Sequence, residues 1–259
     1  MTAELQVWKA ALDCYRWTVD LREYRFRSEY PGWFLRTTGE GRREETVAFE
    51  EDFRLHAPKA LEAWFEVVYW KLAGRNPDGG TQAITRGLSS RRTTAAELWD
   101  KCSDYVHSQE SDARTKFKDF HQLFGFTSDR IAVVATFPAF MDPYRFAMVD
   151  TRVAKWVGEA MGEHNMGDPR GVQLVRPPLL DSTRTTLGMS DFEFMVRWIS
   201  WCRYNAKKLT QLGNGFRWRA RDVEMAVFYA WGEKKERQHP KLRLPPVPST
   251  EASVGGSSS

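Results

Sequence analysis

At 259 residues the chain is long enough for one large domain or two small ones, and a composition 42% hydrophobic and 14% aromatic, with 11 Trp, excludes a wholly disordered protein. With 28% charged residues and a mean hydropathy of -0.55, it does not read as a membrane protein. The longest nearly apolar stretch, Ile131–Met141, contains Thr136 and Pro138 and is too short to cross a bilayer.

From the N-terminus, MTAELQVWKAALD begins an amphipathic helix and lacks the basic flank and apolar run of a secretory signal. Strand signals fall in the first 60 residues, where Tyr30–Thr38 and Glu45–Phe53 read as short extended pieces around GEGRRE. Pro58 sits as a first-turn proline ahead of Leu61, Trp64, Phe65, Val68 and Leu72, which keep helical spacing. A polar loop carrying Arg86, Arg91 and Arg92 follows. Thr94 with Glu97, and Ser190 with Glu193, form capping-box signatures ahead of ELWDKCSDYV and DFEFMVRWISWCRY. Between them come the helix KFKDFHQLF, a tight turn, the helix RIAVVATF, a proline-containing loop and the helix TRVAKWVGEAM. RDVEMAVFYAWG is the last helix. No repeat is found, and residues 238–259, rich in Pro and then Ser and Gly, read as a disordered tail. The expected fold is all-α, one compact mostly helical domain over 1–237, with two helical lobes and a few short N-terminal strands.

Cys14, Cys102 and Cys202 include no CxxC pair, so a thiolate metal cluster or a disulfide framework is not expected, and a reducing compartment fits. The five histidines (His56, His107, His121, His164, His239) show no metal-ligand spacing. The net charge is +4. Arg197, Arg203, Lys207, Lys208, Arg217, Arg219 and Arg221 lie in a 25-residue window free of acids, interleaved with Trp198, Trp201, Tyr204, Phe216 and Trp218. Such a window fits either a phosphate-binding surface or the solvated face of a helix.

The chemistry-bearing segment runs from Leu123 to Val157. A turn with Gly125, Thr127 and Ser128 at a helix start exposes backbone N–H groups that suit a phosphate. A plain hairpin between two helices has the same outline. Asp150 precedes Val153, Trp156 and Val157, an apolar helical face, and so stands as an N-cap. Capping alone would account for it. The positive end of a helix also favours negative charge, and a carboxylate facing a cleft there stabilises a developing cation or orients a water.

Leu123-Phe124-Gly125-Phe126-Thr127-Ser128-Asp129 resembles the hairpin of the helix-hairpin-helix DNA glycosylase superfamily, and Val149-Asp150-Thr151-Arg152-Val153 resembles the run that opens its catalytic-aspartate helix. The 27 residues between Leu123 and Asp150 are close to the family spacing. Trp218–Gly232 is similar to a closing helix in such proteins. The resemblance extends over Lys59–Gly232 and is firm at Leu123–Val157. Phe124 and Thr127 replace the family's hairpin proline and second glycine. Asp129, flanked by Ser128 and Arg130, stands where bifunctional members carry a lysine nucleophile, and the four-cysteine iron–sulfur cluster of some members has no counterpart.

The resemblance implies a monofunctional DNA glycosylase that flips a damaged or modified base from the duplex and hydrolyses its N-glycosidic bond, leaving an abasic site. Asp150 is then the catalytic residue. Gly125, Phe126, Thr127, Ser128, Arg130, Arg152, Arg217 and Arg219 are expected at DNA. Trp33 with Phe34, Tyr69 with Trp70, and Phe228 with Tyr229 are aromatic candidates for the base pocket. Glu66 and Asp222 could read a base edge, although Asp222 also has Arg219 as a natural partner. The expected partner is double-stranded DNA and no membrane, for a cytoplasmic monomer, nucleoid-associated in a bacterium. The only cofactor implied is an alkali ion held by hairpin carbonyls. The divergent hairpin and N-terminal 57 residues suggest foreign DNA as substrate, such as a phage's hypermodified cytosine, and hence an antiviral role. The alternatives are a non-catalytic DNA-binding protein on the same scaffold, a Trp-rich module that binds a protein partner, and a glycosylase–lyase.

Overall fold

The computed structural model describes residues 2–17, 19, 40–73, 77–126, 130–164, 186–213 and 215–231. Among these the chain is helical, and no strand occurs. The segment Tyr30–Thr38, Trp33, Phe34 and the tail lie outside the described residues.

Helix α1 (Ala3–Asp13) starts at Thr2, whose hydroxyl accepts from the Leu5 N–H at 3.3 Å. It buries Leu5, Trp8, Ala11 and Leu12, the stripe expected of an amphipathic helix. The strand expected at Glu45–Phe53 is instead part of helix α2 (Arg43–His56). Thr46, Phe49, Glu50 and Phe53 are buried at three- and four-residue spacing, and Glu45 accepts from the Arg42 N–H at 2.8 Å to fix the start. The three- and four-residue period of these buried positions decides the element.

Helix α3 (Leu61–Leu72) begins after Ala60, so Pro58 stands in the preceding turn rather than in the helix. Residues 63–70 are all buried, which makes α3 the central helix. The polar loop expected to carry Arg86 and Arg91 is helix α4 (Pro77–Arg91), which buries Ile84 and Leu88. It ends in a Schellman motif: Arg92 has φ +56°, its N–H donates to Ser89 O, and Thr93 N–H donates to Leu88 O.

Thr94 caps helix α5 (Ala95–Val106) through the Glu97 N–H at 3.2 Å, which is the N-cap half of the expected capping box. Helix α6 (Glu110–Leu123) leads into the turn at Phe124 and Gly125, where Gly125 adopts φ +65°. The helix expected after this turn is two short pieces, α7 (Ile131–Val134) and α8 (Thr136–Met141). Pro138 lies in the first turn of α8, where its missing N–H costs nothing, rather than in a loop.

Asp150 then opens α9 (Thr151–His164). A 3-10 turn, Met189–Asp191, precedes α10 (Phe192–Leu212). At the start of this segment Asp191 accepts from the Gly188 N–H at 2.8 Å. Helix α11 (Ala220–Trp231) closes the described chain.

One hydrophobic cluster joins these elements. Trp64 packs on Phe137 with ring centroids 4.7 Å apart, and Phe124 stacks on Phe137 at 5.2 Å. At the other end Trp198 stacks on Trp201 at 5.3 Å, with Trp8 and Trp156 beside Trp201. Helix α4 approaches the hairpin at Gly87. A Cβ there would lie 2.4 Å from the Phe124 carbonyl oxygen, a backbone atom with nowhere to go. Gly87→Ala is therefore expected to lose about 1–3 kcal/mol despite its better helix propensity, read as a lower urea midpoint.

Candidate active site

Helices α3, α4, α7, α9 and α11 line a cavity of about 540 Å³, within the about 300–1,000 Å³ typical of small-molecule sites. Helix α3 brings Trp70 and Lys71, the start of α9 brings Asp150, Thr151 and Arg152, and α11 brings Glu224 and Phe228, one turn apart. Tyr15, Trp17, Arg130 and Met148 complete the part that matters chemically.

Asp150 caps α9 through one carboxylate oxygen, with Val153 N–H donating to Oδ1 at 2.8 Å. The other oxygen, Oδ2, lies 3.7 Å from Lys71 Nζ. Both side chains are mostly covered, 17% and 11% exposed. The carboxylate is thus oriented from two sides, by backbone and by a cation. Trp198 Nε1–H donates to Met148 O at 2.9 Å, so α10 pins the strap that delivers Asp150.

Aromatic rings form much of the wall. Trp17 meets Trp70 and Phe228 edge-on at 6.1 and 5.6 Å, and its Nε1–H donates to Trp70 O at 3.0 Å. The Arg152 guanidinium lies 4.5 Å from the Phe228 ring centroid and 5.6 Å from that of Trp17. Lys71, Arg130 and Arg152 outnumber Asp150 and Glu224, so the lining carries a net positive charge that suits an anionic backbone.

Behind this wall lies a buried ionic network. Arg219 Nη1 lies 2.6 Å from Glu50 Oε2, and Arg219 Nη2 lies 2.7 Å from Asp222 Oδ1. Arg43 Nε reaches Asp222 at 2.8 Å, and Arg221 pairs with Glu50 at 3.3 Å and with Glu224. Burial alone would lower the Arg219 pKa, but Glu50 and Asp222 hold it above its ordinary value. Burial would likewise raise Asp222, yet Arg219 and Arg43 hold it below the usual carboxylate range. Burial pushes the Tyr15 phenol up against the pull of Arg221. The depressed Asp222 stabilises the fold above the unfolded carboxylate pKa, and that contribution fades as pH falls through the folded value. Below pH about 4, the urea midpoint should fall more steeply in the wild type than in Asp222→Asn.

Of the residues expected at the site, the cavity gathers Asp150, Arg130, Arg152, Trp70 and Phe228. Asp222 is held by Arg43 and Arg219, and so is committed to structure rather than to a base edge. Arg219 is 4% exposed and paired, which removes it from a DNA-facing surface. Glu66 and Tyr69 are buried in α3 outside the cavity lining. The acid-free basic window is also divided. Lys208, Arg219 and Arg221 are buried, whereas Arg197, Arg203, Lys207 and Arg217 are exposed, with Arg217 over the Tyr144 ring at 4.3 Å.

In the hairpin, the Gly125 N–H donates to Gln122 O, so it is not offered to a phosphate. The Phe126 ring packs beside Phe124 and His121. Thr127, Ser128 and Asp129 lie outside the described residues. Gln122 O also accepts from the Arg91 guanidinium. Among the described residues no group of His, Cys, Asp and Glu is placed to hold a metal, and no helix is long and apolar enough to cross a membrane.

Sequence reading missed Tyr15, Trp17, Lys71 and Glu224. Trp17 and Tyr15 lie in the N-terminal region without a motif, and Lys71 and Glu224 sit in helices that read as core. The only available signal was a charged residue beside an apolar stripe, at Lys71 after Trp70 and at Glu224 one turn before Phe228. Comparison with family models, curated protein sequences and solved structures gives no significant match.

Proposed function

We propose that this protein is a monofunctional DNA glycosylase, acting on a base turned out of duplex DNA into the cavity. The supporting observation is the position of Asp150, held at the start of α9 in a cavity walled by Trp17, Trp70 and Phe228 and lined by Lys71, Arg130 and Arg152. Cleavage of an N-glycosidic bond develops positive charge on the sugar. Asp150 stabilises that charge and positions the attacking water, the base leaves with the bonding electron pair, and an abasic sugar remains. Lys71 keeps the carboxylate oriented. Arg130 and Arg152 draw the phosphates on either side of the sugar, and the exposed Arg197, Arg203, Lys207 and Arg217 add salt-dependent affinity for the duplex.

The test is a base-release assay with duplexes carrying oxidised, alkylated and deaminated bases and with phage DNA containing substituted cytosines. Alkali-dependent cleavage by the wild type, absent in Asp150→Asn, supports the reading and names the substrate. Silence on every DNA, with salt-sensitive binding intact, favours a DNA-binding protein without catalysis.

Lys71 favours a second reading. Its amine lies beside Asp150 in the cavity, so attack on the sugar C1′ would displace the base and leave a Schiff base that opens the strand by elimination. Under the monofunctional reading, borohydride traps no adduct. An adduct lost in Lys71→Ala would establish the lyase instead.

A further inference from the structure

Glu224 is 1% exposed and lines the cavity on the same face of α11 as Phe228. Its Oε2 is held by Arg221, while Oε1 has no hydrogen-bond partner among the described residues. Arg221 is wholly buried between Glu50 and Glu224, with its guanidinium 5.9 Å from the Trp70 ring centroid. Trp70 lines the same cavity, and its indole N–H also lacks a partner. Buried acceptors and donors are satisfied in nearly all folded proteins, so two orphans at one aromatic cavity mark where a ligand completes the hydrogen bonding.

We propose that Glu224 selects the ring that enters this cavity, by accepting a hydrogen bond from an amino group on its edge. An ionised carboxylate only accepts. A carbonyl facing it sets lone pair against lone pair, whereas an exocyclic amine gives a charge-assisted bond. Trp17, Trp70 and Phe228 supply flat apolar surface for the ring itself. The ligand class is thus a planar heterocycle bearing an amino group, and on the glycosylase reading, on which this inference rests for the source of the ring, the substrate is an amino-bearing base rather than a deaminated one.

Arg221 also fixes what a neutral isostere would do. In Glu224→Gln the amide oxygen stays with the guanidinium, so the amide NH₂ takes the place of Oε1. The acceptor becomes a donor, and the preference should reverse.

The experiment is titration of the full-length protein with 1-methylcytosine, 9-methyladenine and 1,3-dimethyluracil, followed by calorimetry and tryptophan fluorescence. The first two carry an amino donor, and the third carries no N–H. The wild type is expected to bind the amino rings at least tenfold more tightly. Glu224→Gln, shown to be folded by its melting transition, should abolish or invert that order. Equal binding of all three by the wild type, no binding of any at millimolar concentration, or an unchanged order in folded Glu224→Gln overturns the proposal. The wild-type series decides the matter even if the variant fails to fold. Base release from DNA without this ring preference would refute the role of Glu224 and leave the glycosylase reading standing. Ring preference without base release from any DNA would do the reverse.

Discussion

On the glycosylase reading, Asp150→Asn should lower base release by about 100-fold or more while leaving the protein folded and bound to DNA. The asparagine side chain keeps the oxygen that accepts from Val153 N–H, and Asn is as good an N-cap as Asp. It removes the negative charge that the proposed reaction needs opposite a developing cation. Asp150→Ala loses both, and should add about 1 kcal/mol of instability to the same loss of rate. The comparison separates capping from catalysis, because a residue that only caps would leave Asn near wild type in both measurements. DNA affinity of the Asn variant should be equal or higher, since one negative charge near the phosphates is gone. Single-turnover base release and salt-dependent binding, run side by side, check each part.

The largest effect on stability is expected from Glu50→Ala, about 3–5 kcal/mol by urea unfolding. Glu50 is wholly buried and lies between Arg219 and Arg221, with separate oxygens toward each. Removing it strands two guanidiniums where water does not reach. Arg219 keeps Asp222 and Arg221 keeps Glu224, so the network is strained rather than erased. Glu50→Gln retains the shape and both acceptor positions in part, and should lose less. If Glu50→Ala unfolds at the wild-type midpoint, the ion pairs contribute nothing net.

The helices that carry the site were legible because each has a local signal. Val149-Asp150-Thr151 announces a cap, Gly125 a turn, and the stripe of α10 a packed face. Asp150 needed only the apolar residues three, six and seven positions later to be placed correctly. The helix α2 was not legible as such, since Thr46, Val47 and Phe49 have strand-like chemistry over a short window. Its period emerges only when Phe53 is counted with Phe49. The basic window was misleading for a related reason. A guanidinium reads as surface in a sequence, and only the arrival of Glu50 from 169 residues away makes Arg219 an interior group. Glu224 and Lys71 were hidden because a cavity is a property of several helices together. No stretch of chain contains it.

The closing helix has a consequence for how the protein is made. Helix α1 packs on α11, Tyr15 touches Phe228, and Arg43 bonds Asp222 across 179 residues of chain. On the ribosome, the first helices emerge long before their partners exist. They wait with Trp8, Tyr15 and Glu50 uncovered until residues 219–231 leave the exit tunnel. The cavity therefore comes into being only once α11 has emerged, and a nascent chain stalled before it exposes apolar surface to chaperones and proteases.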